Sequence, residues 1–468
     1  MASLELGTRL YYVRPVTRTP LVFPSIRVRS LWTGLWKSKP APKPPEQPRS
    51  RPASGFQTVD AAQLVEEEEL PDYKADRFYP VRLGEVFRGR HQVLGKLGFG
   101  SSSTVWLARD LRDHLYVMLK VYVHTSAIHR EIPVYHHISP HIETATAHRG
   151  RLNIRQLLDS FTVAGPDGRH LVLVHRAAQM SLRDMKLVFF PNGFDPAFVR
   201  GAIIELLQAL DPLHSHAEAV HTGTEWTSPF SSVWIKIAYV LFLYIRSIDV
   251  HSGNMLLGLW DNTLLKNLED AELRAPVARK PVSDSRTIYL SRLSKPKEGP
   301  MLLSDFGEAR LGPGPHPGDI MPLEYRAPET LLYVTWSYPV DVWSVGLTAW
   351  DLLGLERPFT ARDVDGGVYD ATHFAQLIAA LGPPPPKFLA KNPERRADFW
   401  DENGEWLGLA DIPEGRTLES LETRLETRDK DAFLRFVRKA LTWMPEQRAT
   451  AKELLQDPWL LGSHKAGS

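Results

Sequence analysis

The spacing of the apolar residues changes once along the chain, and this change most limits the folds open to it. From about residue 78 the chain carries short β-branched runs separated by Gly and Asp, as in HLYVMLKVYV (114–123), which is typical of strands and turns. Beyond Asp184 the spacing is mostly helical, as in FVRGAIIELLQAL (198–210). A strand-rich part followed by a longer helical part predicts an α+β protein with two lobes rather than a doubly wound sheet.

Charge and proline content distinguish the N-terminal segment from the two predicted lobes. Residues 1–45 carry eight Arg or Lys and a single acid, and the prolines that follow exclude a helix. The acidic run Glu66–Glu69 is interpreted as a solvated face or the end of a linker. The predicted segments are a basic, Pro-rich, disordered tail with an acidic linker (1–77), a small β-rich lobe (78–178), a larger helical lobe (179–462) and a short tail (463–468).

Charge and cysteine content exclude several classes of protein. The 468 residues carry 56 basic and 55 acidic side chains, so the net charge of +1 gives no reason to expect direct binding to nucleic acid or membranes. The absence of cysteine excludes disulfides, a thiol nucleophile and cysteine-ligated metals. The longest lipid-like run, 237–245, is far below the ~20 residues of a membrane span. We therefore expect a soluble protein.

A glycine-containing segment lies between two strand-like runs. Glycine lets the backbone approach a phosphate closely and present its N–H groups. An ordinary hairpin turn would have the same appearance. The candidate phosphate-binding residues are Leu97, Gly98, Phe99, Gly100, Ser101, Ser102, Ser103, Thr104 and Val105.

Three charged residues follow at positions that suit phosphate chemistry. Lys120 ends an apolar strand, where it would direct a fixed charge at phosphates, and Glu131 in the next helix is the carboxylate expected to hold it. A surface lysine beside an unrelated glutamate is the alternative. Asp305 follows another apolar run and begins Asp-Phe-Gly. A carboxylate displayed at a strand end suits Mg²⁺, which prefers hard oxygen ligands.

The order of these features and of three later ones resembles the eukaryotic protein kinases. The later features are Ala-Pro-Glu (327–329), Asp-Val-Trp-Ser-Val-Gly (341–346) and Arg448. More narrowly, the chain resembles the SR-protein kinase family, especially its fungal-type members, over about residues 82–462. The stretches that carry this narrower resemblance are VLGKLGFGSSSTVWLARD (93–110), DFGEAR (305–310), EYRAPE (324–329) and LIAALGPPP (377–385).

The catalytic loop of that family reads His-Thr-Asp-x-Lys-x-x-Asn, and here it is interrupted. His221-Thr222 is separated from Asp249 by the 26 residues 223–248, and removal of these residues restores the family spacing. A GGT codon for Gly223 and ATA-GAT for residues 248–249 would supply the splice-site dinucleotides. We therefore interpret 223–248 as a retained intron translated in frame; the alternative is a genuine insertion extruded as a surface loop.

The resemblance implies a serine/threonine protein kinase that uses ATP and Mg²⁺. Asp249 would accept the proton of the substrate hydroxyl, while Asn254 and Asp305 would hold the metal ions. Lys120, fixed by Glu131, would bind the α- and β-phosphates beneath the segment 97–105.

The resemblance also implies that Glu329 and Arg448 form a buried ion pair in the helical lobe.

Three departures from the family pattern stand out. His251 replaces the catalytic-loop lysine, and because histidine is only partly charged near neutral pH, we expect weakened chemistry. Met118 replaces a small alanine and would narrow the adenine pocket. Residues 259–300 lengthen the spacer before Asp305 and are interpreted as a polar, mobile insert.

No Ser or Thr lies between Glu308 and Glu329, so the activation segment cannot be switched by phosphorylation of those residue types. Thr222 likewise stands where an arginine would receive such a phosphate. Activity should therefore be constitutive, as it is in the SR-protein kinases.

The resemblance implies protein substrates, and Arg-Ser-rich splicing factors are the specific expectation. It also implies that this protein is located in the cytoplasm and nucleus. We expect a monomer. A mitochondrial location, suggested by the Arg-rich N-terminus, is the alternative. One alternative function is a pseudokinase or nucleotide-binding module whose catalytic loop is disrupted. A small-molecule kinase of the aminoglycoside or choline type is the other, but Ala-Pro-Glu argues against it.

Overall fold

The computed structural model describes residues 44–52, 54–126, 131–145, 147–221, 250–363, 365–367 and 369–462. Thr222, Asp249, the proposed insertion 223–248, the tail 463–468 and most of the predicted basic tail lie outside the described residues. The described part has a strand-rich lobe followed by a helical lobe, which confirms the predicted two-lobed α+β protein.

The small lobe is built on a six-stranded antiparallel sheet in the order β1-β2-β3-β4-β6-β5. Alternation along β4 sends Val117, Leu119 and Val121 to one apolar cluster and Met118 to another on the opposite face. The strands are β1 (Val86–Phe87), β2 (His91–Gly100), β3 (Ser103–Asp110), β4 (Leu115–Tyr122), β5 (Leu157–Ala164) and β6 (Arg169–Arg176), and helix α1 (Glu131–Thr144) lies between β4 and β5.

The large lobe has one continuous apolar core, in which Trp343 and Trp350 are fully buried. The Asp195 side chain accepts the Ala197 N–H at 2.8 Å and caps α3, whose first turn begins with a proline, as helix starts favour. The helices are α2 (Leu182–Phe189), α3 (Pro196–Ser215), α4 (Thr263–Arg274), α5 (Pro328–Leu331), α6 (Pro339–Leu352), α7 (Asp370–Leu381), α8 (Pro386–Leu389), α9 (Pro393–Arg396), α10 (Leu418–Leu421), α11 (Thr427–Ala440), α12 (Ala451–Leu454) and α13 (Pro458–Leu461).

Three short two-stranded pairs arrange the loops around the junction of the lobes. They are β7 (Ala219–Val220) with β12 (Arg310–Leu311), β8 (Met255–Leu257) with β11 (Met301–Leu303), and β9 (Arg279–Ser283) with β10 (Arg286–Tyr289). The second pair matters most for the site, because it places residues about 50 positions apart in sequence side by side.

The interpretation of 259–300 as a polar, mobile insert is wrong for its central part, which forms α4 and the β9–β10 hairpin. Leu265 joins the apolar cluster around Met118, and Tyr289 joins the cluster on the other face of the sheet. Burial of each such side chain contributes about 1.5–3 kcal/mol, which favours an ordered insert. Although these residues fall within the segment assigned to the large lobe, they pack on the small one.

The interpretation of 1–77 as a disordered tail is also wrong for the described residues from 44 onward. Glu46 forms a two-hydrogen-bond pair with Arg109 on β3, and Gln92 on β2 exchanges two hydrogen bonds with the backbone of Arg49. Thr58 pairs with Arg279 as an isolated β-bridge. This segment is therefore part of the small lobe rather than a linker to it.

Within the described residues, every helix is too short or too polar to cross a lipid bilayer.

Candidate active site

The glycine-containing segment forms the end of β2, a turn at Ser101–Ser102 and the start of β3. Gly98 pairs with Val105, and Gly100 pairs with Ser103 across the turn. A Cβ atom added at Gly98 or Gly100 would meet no atom within 4 Å. The backbone here therefore faces open space, as a strand–turn–strand lid over phosphates requires.

Lys120 lies at the centre of the site, on β4 opposite Val105. Its Nζ is 3.0 Å from Glu131 Oε2 and 3.2 Å from Asp305 Oδ1. Burial alone would lower the pKa of Lys120, but the carboxylates of Asp305 and Glu131 outweigh it and hold that pKa well above its ordinary value. The lysine thus carries a fixed positive charge between two acids, which come from different elements.

Glu131, at the start of α1, has a second partner that the sequence interpretation missed. The Tyr122 hydroxyl donates to Glu131 Oε2 at 2.5 Å. Burial raises the pKa of Glu131, whereas Lys120 and the Tyr122 hydrogen bond lower it, and the net shift is downward. Tyr122 stands two positions after Lys120, so the strand period could have placed both side chains on one face.

Arg155 was also missed, and no local signal marks it. Its backbone N–H donates to the Leu303 carbonyl at 2.9 Å, and its side chain is buried. The Arg155 charge helps to lower the pKa of Glu131. The sequence does not indicate that Arg155 places a buried positive charge near the Lys120–Glu131 pair, because the contact of Arg155 with Leu303 joins distant parts of the chain.

Asp305 follows β11 in a left-handed backbone conformation, with φ of 63°. This conformation is uncommon for residues with a side chain, and aspartate tolerates it better than most. Asn254 is close by, because β8 and β11 are paired and the Asn254 carbonyl accepts the N–H and the Oγ–H of Ser304 at 2.9 and 3.0 Å. The two predicted metal-binding residues are therefore brought to neighbouring chain segments.

Phe306 connects this site to both lobes. Its ring is fully buried and lies 5.2 Å from the ring of Tyr135 on α1 and 4.8 Å from that of His221, centroid to centroid. The His221 ring also lies 3.1 Å from the Ser304 carbonyl through Nε2. The position of α1, which carries Glu131, is thus coupled by packing to His221, the first residue of the interrupted catalytic loop.

The described residues on either side of the interrupted loop are both anchored to α6. The His221 N–H donates to Asp341 Oδ2 at 2.8 Å, and Thr348 Oγ1 donates to the Val250 carbonyl at 3.0 Å. Asp341 and Thr348 are seven residues apart, about 10 Å along the helix axis. The predicted catalytic Asp249 lies outside the described residues, directly before Val250.

His251, which replaces the family lysine, is buried. Its Nδ1 accepts the Gly253 N–H at 2.8 Å, and its ring centroid lies 6.2 Å from that of Tyr325 in the activation segment. Its role toward a phosphate stays a prediction.

Met118 lines the apolar wall next to the glycine-containing segment. It clusters with Leu94 and Leu107, and Leu97 and Val105 pack against the same cluster. The Ala178 N–H donates to Met118 Sδ at 3.3 Å, so the long side chain reaches the segment that joins the lobes. A smaller residue at 118 would leave this space open.

Glu329 and Arg448 form a bidentate pair with two N–O distances of 2.6 Å. Both side chains are fully inaccessible to water. Arg448 also donates to the carbonyls of Thr442 and Pro339 and stands 5.0 Å from the Trp343 ring. The pair therefore joins α5, the start of α6 and the segment after α11.

Comparison with known proteins places these observations in context. A sequence model described as "Protein kinase domain" matches residues 293–460. A serine/threonine protein kinase of Aspergillus fumigatus is 39% identical over 426 residues, which are 90% of this chain and 96% of the relative. The serine/threonine-protein kinase SRPK of Physarum polycephalum is 26% identical over 418 residues, 84% of this chain and 91% of that protein. SRSF protein kinase 3 of Homo sapiens is 23% identical in an alignment of 516 positions, gaps included, that covers 84% of this chain and 90% of the human protein.

Proposed function

This chain belongs to the serine/threonine protein kinases, and on that premise we propose that it transfers the γ-phosphate of ATP to serines of Arg-Ser-rich proteins and is constitutively active. The observation that carries the proposal is the position of Lys120, between Glu131 and Asp305 and close to the glycine-containing segment. The name of the human relative, an SRSF protein kinase, supports the substrate class.

Protein kinases in general use ATP and a divalent metal, and the residues present fit both groups. Asp305 and Asn254 offer carboxylate and amide oxygens, which are the donors that Mg²⁺ prefers. When bound, Mg²⁺ and ATP supply the transferable phosphoryl group in a form whose charge is partly neutralised. Lys120 would hold the phosphates in place, Glu131 would hold Lys120, and Asp249 would orient the substrate hydroxyl and accept its proton.

Constitutive activity is supported by how the activation segment is held. β12 pairs with β7, and His316 exchanges two backbone hydrogen bonds with Trp336 at 2.8 and 2.9 Å. Further along, Ile320 and Met321 are fully buried. These contacts fix the segment without a phosphate group.

The insertion 223–248 decides whether the catalytic loop can close. His221 and Val250 are anchored about 10 Å apart along α6. Three Cα-to-Cα steps, through Thr222 and Asp249 alone, reach about 11 Å. A chain without 223–248 can therefore keep both anchors, as the retained-intron hypothesis requires. Sequencing the mature transcript across Thr222 tests that hypothesis directly; a message that still encodes these residues would contradict it.

The function is tested by ATP-dependent phosphate transfer to an Arg-Ser repeat peptide, with a Lys-Ser repeat peptide of the same length as the matched control. The chain as written and a version lacking 223–248 are compared, each with an Asp249→Ala variant as the blank. We expect the shortened version to be active, to prefer Arg-Ser and to need no prior phosphorylation. Equal activity toward both peptides would refute the substrate class. Transfer no faster than the blank by either folded version would favour the pseudokinase alternative.

We also propose a cytoplasmic and nuclear location, because Arg-Ser-rich splicing factors occur there. A fluorescent fusion of the whole chain tests this. Accumulation in mitochondria, lost when residues 1–43 are removed, would favour the transit-peptide alternative.

A further inference from the structure

The acidic run Glu66–Glu69, interpreted from the sequence as a solvated face or the end of a linker, is partly buried. Glu67 is 7% exposed and forms an ion pair with Lys96, which is 1% exposed. Lys96 Nζ is also 3.3 Å from Glu66 Oε2. A fully buried lysine is rare unless it is paired, and here two carboxylates from a sequence-distant segment pair with it.

The ion pairs of Lys96 matter because this residue lies next to the glycine-containing segment. Lys96 lies on β2 directly before Leu97, the first residue of the glycine-containing segment. It pairs with Trp106 on β3, and the register shifts between Lys96 and Gly98, where the strand enters that segment. Its Nζ stands 5.3 Å from the ring centre of Phe99. Interactions that fix Lys96 therefore also fix β2 at the point where the glycine-containing segment begins.

The insert within 259–300 holds the same residue from its backbone side. The Arg292 N–H donates to the Lys96 carbonyl at 3.0 Å, and the Arg292 side chain forms an ion pair with Glu272 on α4 at 2.9 Å. Ser291 joins the two elements, because its N–H and Oγ–H donate to Glu66 at 2.7 and 2.6 Å. The side chain of Lys96 therefore forms ion pairs with Glu66 and Glu67, in the segment before β1, and its carbonyl accepts a hydrogen bond from Arg292 in the insert.

We propose that Glu66 and Glu67, together with Arg292, form a clamp on Lys96 that positions the glycine-containing segment for ATP. The clamp consists of these four residues. It acts on ATP only through β2, so Lys96 and Glu67 are positioning residues, and the proposal rests on the ATP binding proposed above. Buried charge pairs suit such a role, because they are satisfied only in a narrow range of geometry.

The chain contains a matched control for this proposal. Glu68, next to Glu67, also forms a buried ion pair, with Lys280 on the β9–β10 hairpin at 2.9 Å. The exposed fractions of the two glutamate side chains are nearly equal, 9% for Glu67 and 10% for Glu68. Glu67→Gln and Glu68→Gln therefore remove the same charge from the same four-residue acidic run, but only the first removes a contact to β2.

The experiment measures two properties of the full-length chain and its variants. The first is amide hydrogen exchange of residues 97–105 without nucleotide, and the second is the dissociation constant for Mg²⁺-ATP. In Glu67→Gln, we expect exchange in 97–105 to quicken and the dissociation constant to rise about tenfold, since a displacement of ~1 Å is costly in such sites. In Glu68→Gln, both should stay within about twofold of the parent chain.

Lys96→Met is the second variant, and the double variant Glu67→Gln/Lys96→Met completes a cycle. If the residues act through each other, the double variant should bind ATP no more weakly than the worse single variant. A Lys96→Met chain that fails to fold leaves Glu67→Gln to decide the proposal. Unchanged exchange in Glu67→Gln, or equal effects of Glu67→Gln and Glu68→Gln, would overturn the clamp. Absence of ATP binding by the parent chain both with and without 223–248 would overturn the proposed function, and the exchange data would still report on how firmly β2 is held.

Discussion

Replacement of Glu329 by glutamine measures how much the large lobe depends on a charge pair that water does not reach. Glu329 accepts two hydrogen bonds of 2.6 Å from Arg448, and both side chains are fully buried. The substitution leaves the Arg448 charge in place without its counterion. Breaking a buried pair on one side costs about 3–5 kcal/mol of unfolding free energy, because the remaining charge stays desolvated.

The reverse substitution, Arg448→Met, should cost at least as much. It leaves a buried carboxylate and also removes donors from the carbonyls of Thr442 and Pro339. The double variant Glu329→Leu/Arg448→Met leaves no unpaired charge, so its cost should be well below the sum of the two single costs.

The assay is urea unfolding followed by tryptophan fluorescence, to which Trp343 beside the pair should contribute. The matched control is Glu356→Gln, which breaks a pair with Arg416 at the same 2.6 Å distance but with the glutamate side chain 67% exposed. Exposed pairs contribute about 0.2–1 kcal/mol. If Glu329→Gln cost no more than Glu356→Gln, burial would not be what gives this pair its importance.

Three further predictions concern catalysis and pH. Lys120→Met should lower kcat/KM for ATP by about 10²-fold or more, measured in the version lacking 223–248, because it removes the fixed charge held by Glu131 and Asp305. His251→Lys in the same version should raise kcat, by up to about 10²-fold, and an unchanged kcat would show that His251 does not limit the chemistry. Burial lowers the pKa of His373 to about 3, with a smaller contribution from Arg326. The unfolded chain takes up this proton below pH ~6.5 and the folded chain does not, so His373 alone should lower the free energy of unfolding by about 2 kcal/mol from pH 7 to 5. His373→Gln should show a correspondingly smaller fall in urea titrations at the two pH values.

Lys120 and Asp305, which the structure brings within 3.2 Å of each other, could be predicted as site candidates because each has a local signal. Lys120 follows one apolar run and Asp305 follows another, and the glycines at 98 and 100, which precede both, mark the turn between β2 and β3. Each signal lies within a few residues of the position it marks, so recognising it needs no knowledge of the assembled lobes. The fold class followed from the change in apolar spacing for the same reason.

The clamp residues could not be predicted, because their surroundings come from distant parts of the chain. Four glutamates in a row look like a solvated run, and nothing near Glu67 indicates a buried lysine 29 positions later. The segment 259–300 was interpreted as mobile because its average composition is polar. Leu265 and Tyr289 belong to very short apolar runs (264–265 and 288–290) in a polar sequence, and their burial on opposite faces of the small-lobe sheet explains why the insert is ordered.

The pairing of His316 with Trp336 has a consequence for how a cell could govern this protein. Backbone hydrogen bonds and buried apolar side chains hold the activation segment, and the stretch between Glu308 and Glu329 offers no hydroxyl of serine or threonine. A serine/threonine phosphatase therefore finds nothing to remove there, and an upstream kinase of that class finds nothing to modify. If the enzyme is constitutively active, as proposed above, its output follows its abundance and its access to substrate, so synthesis, turnover and the processing of its message become the points of control.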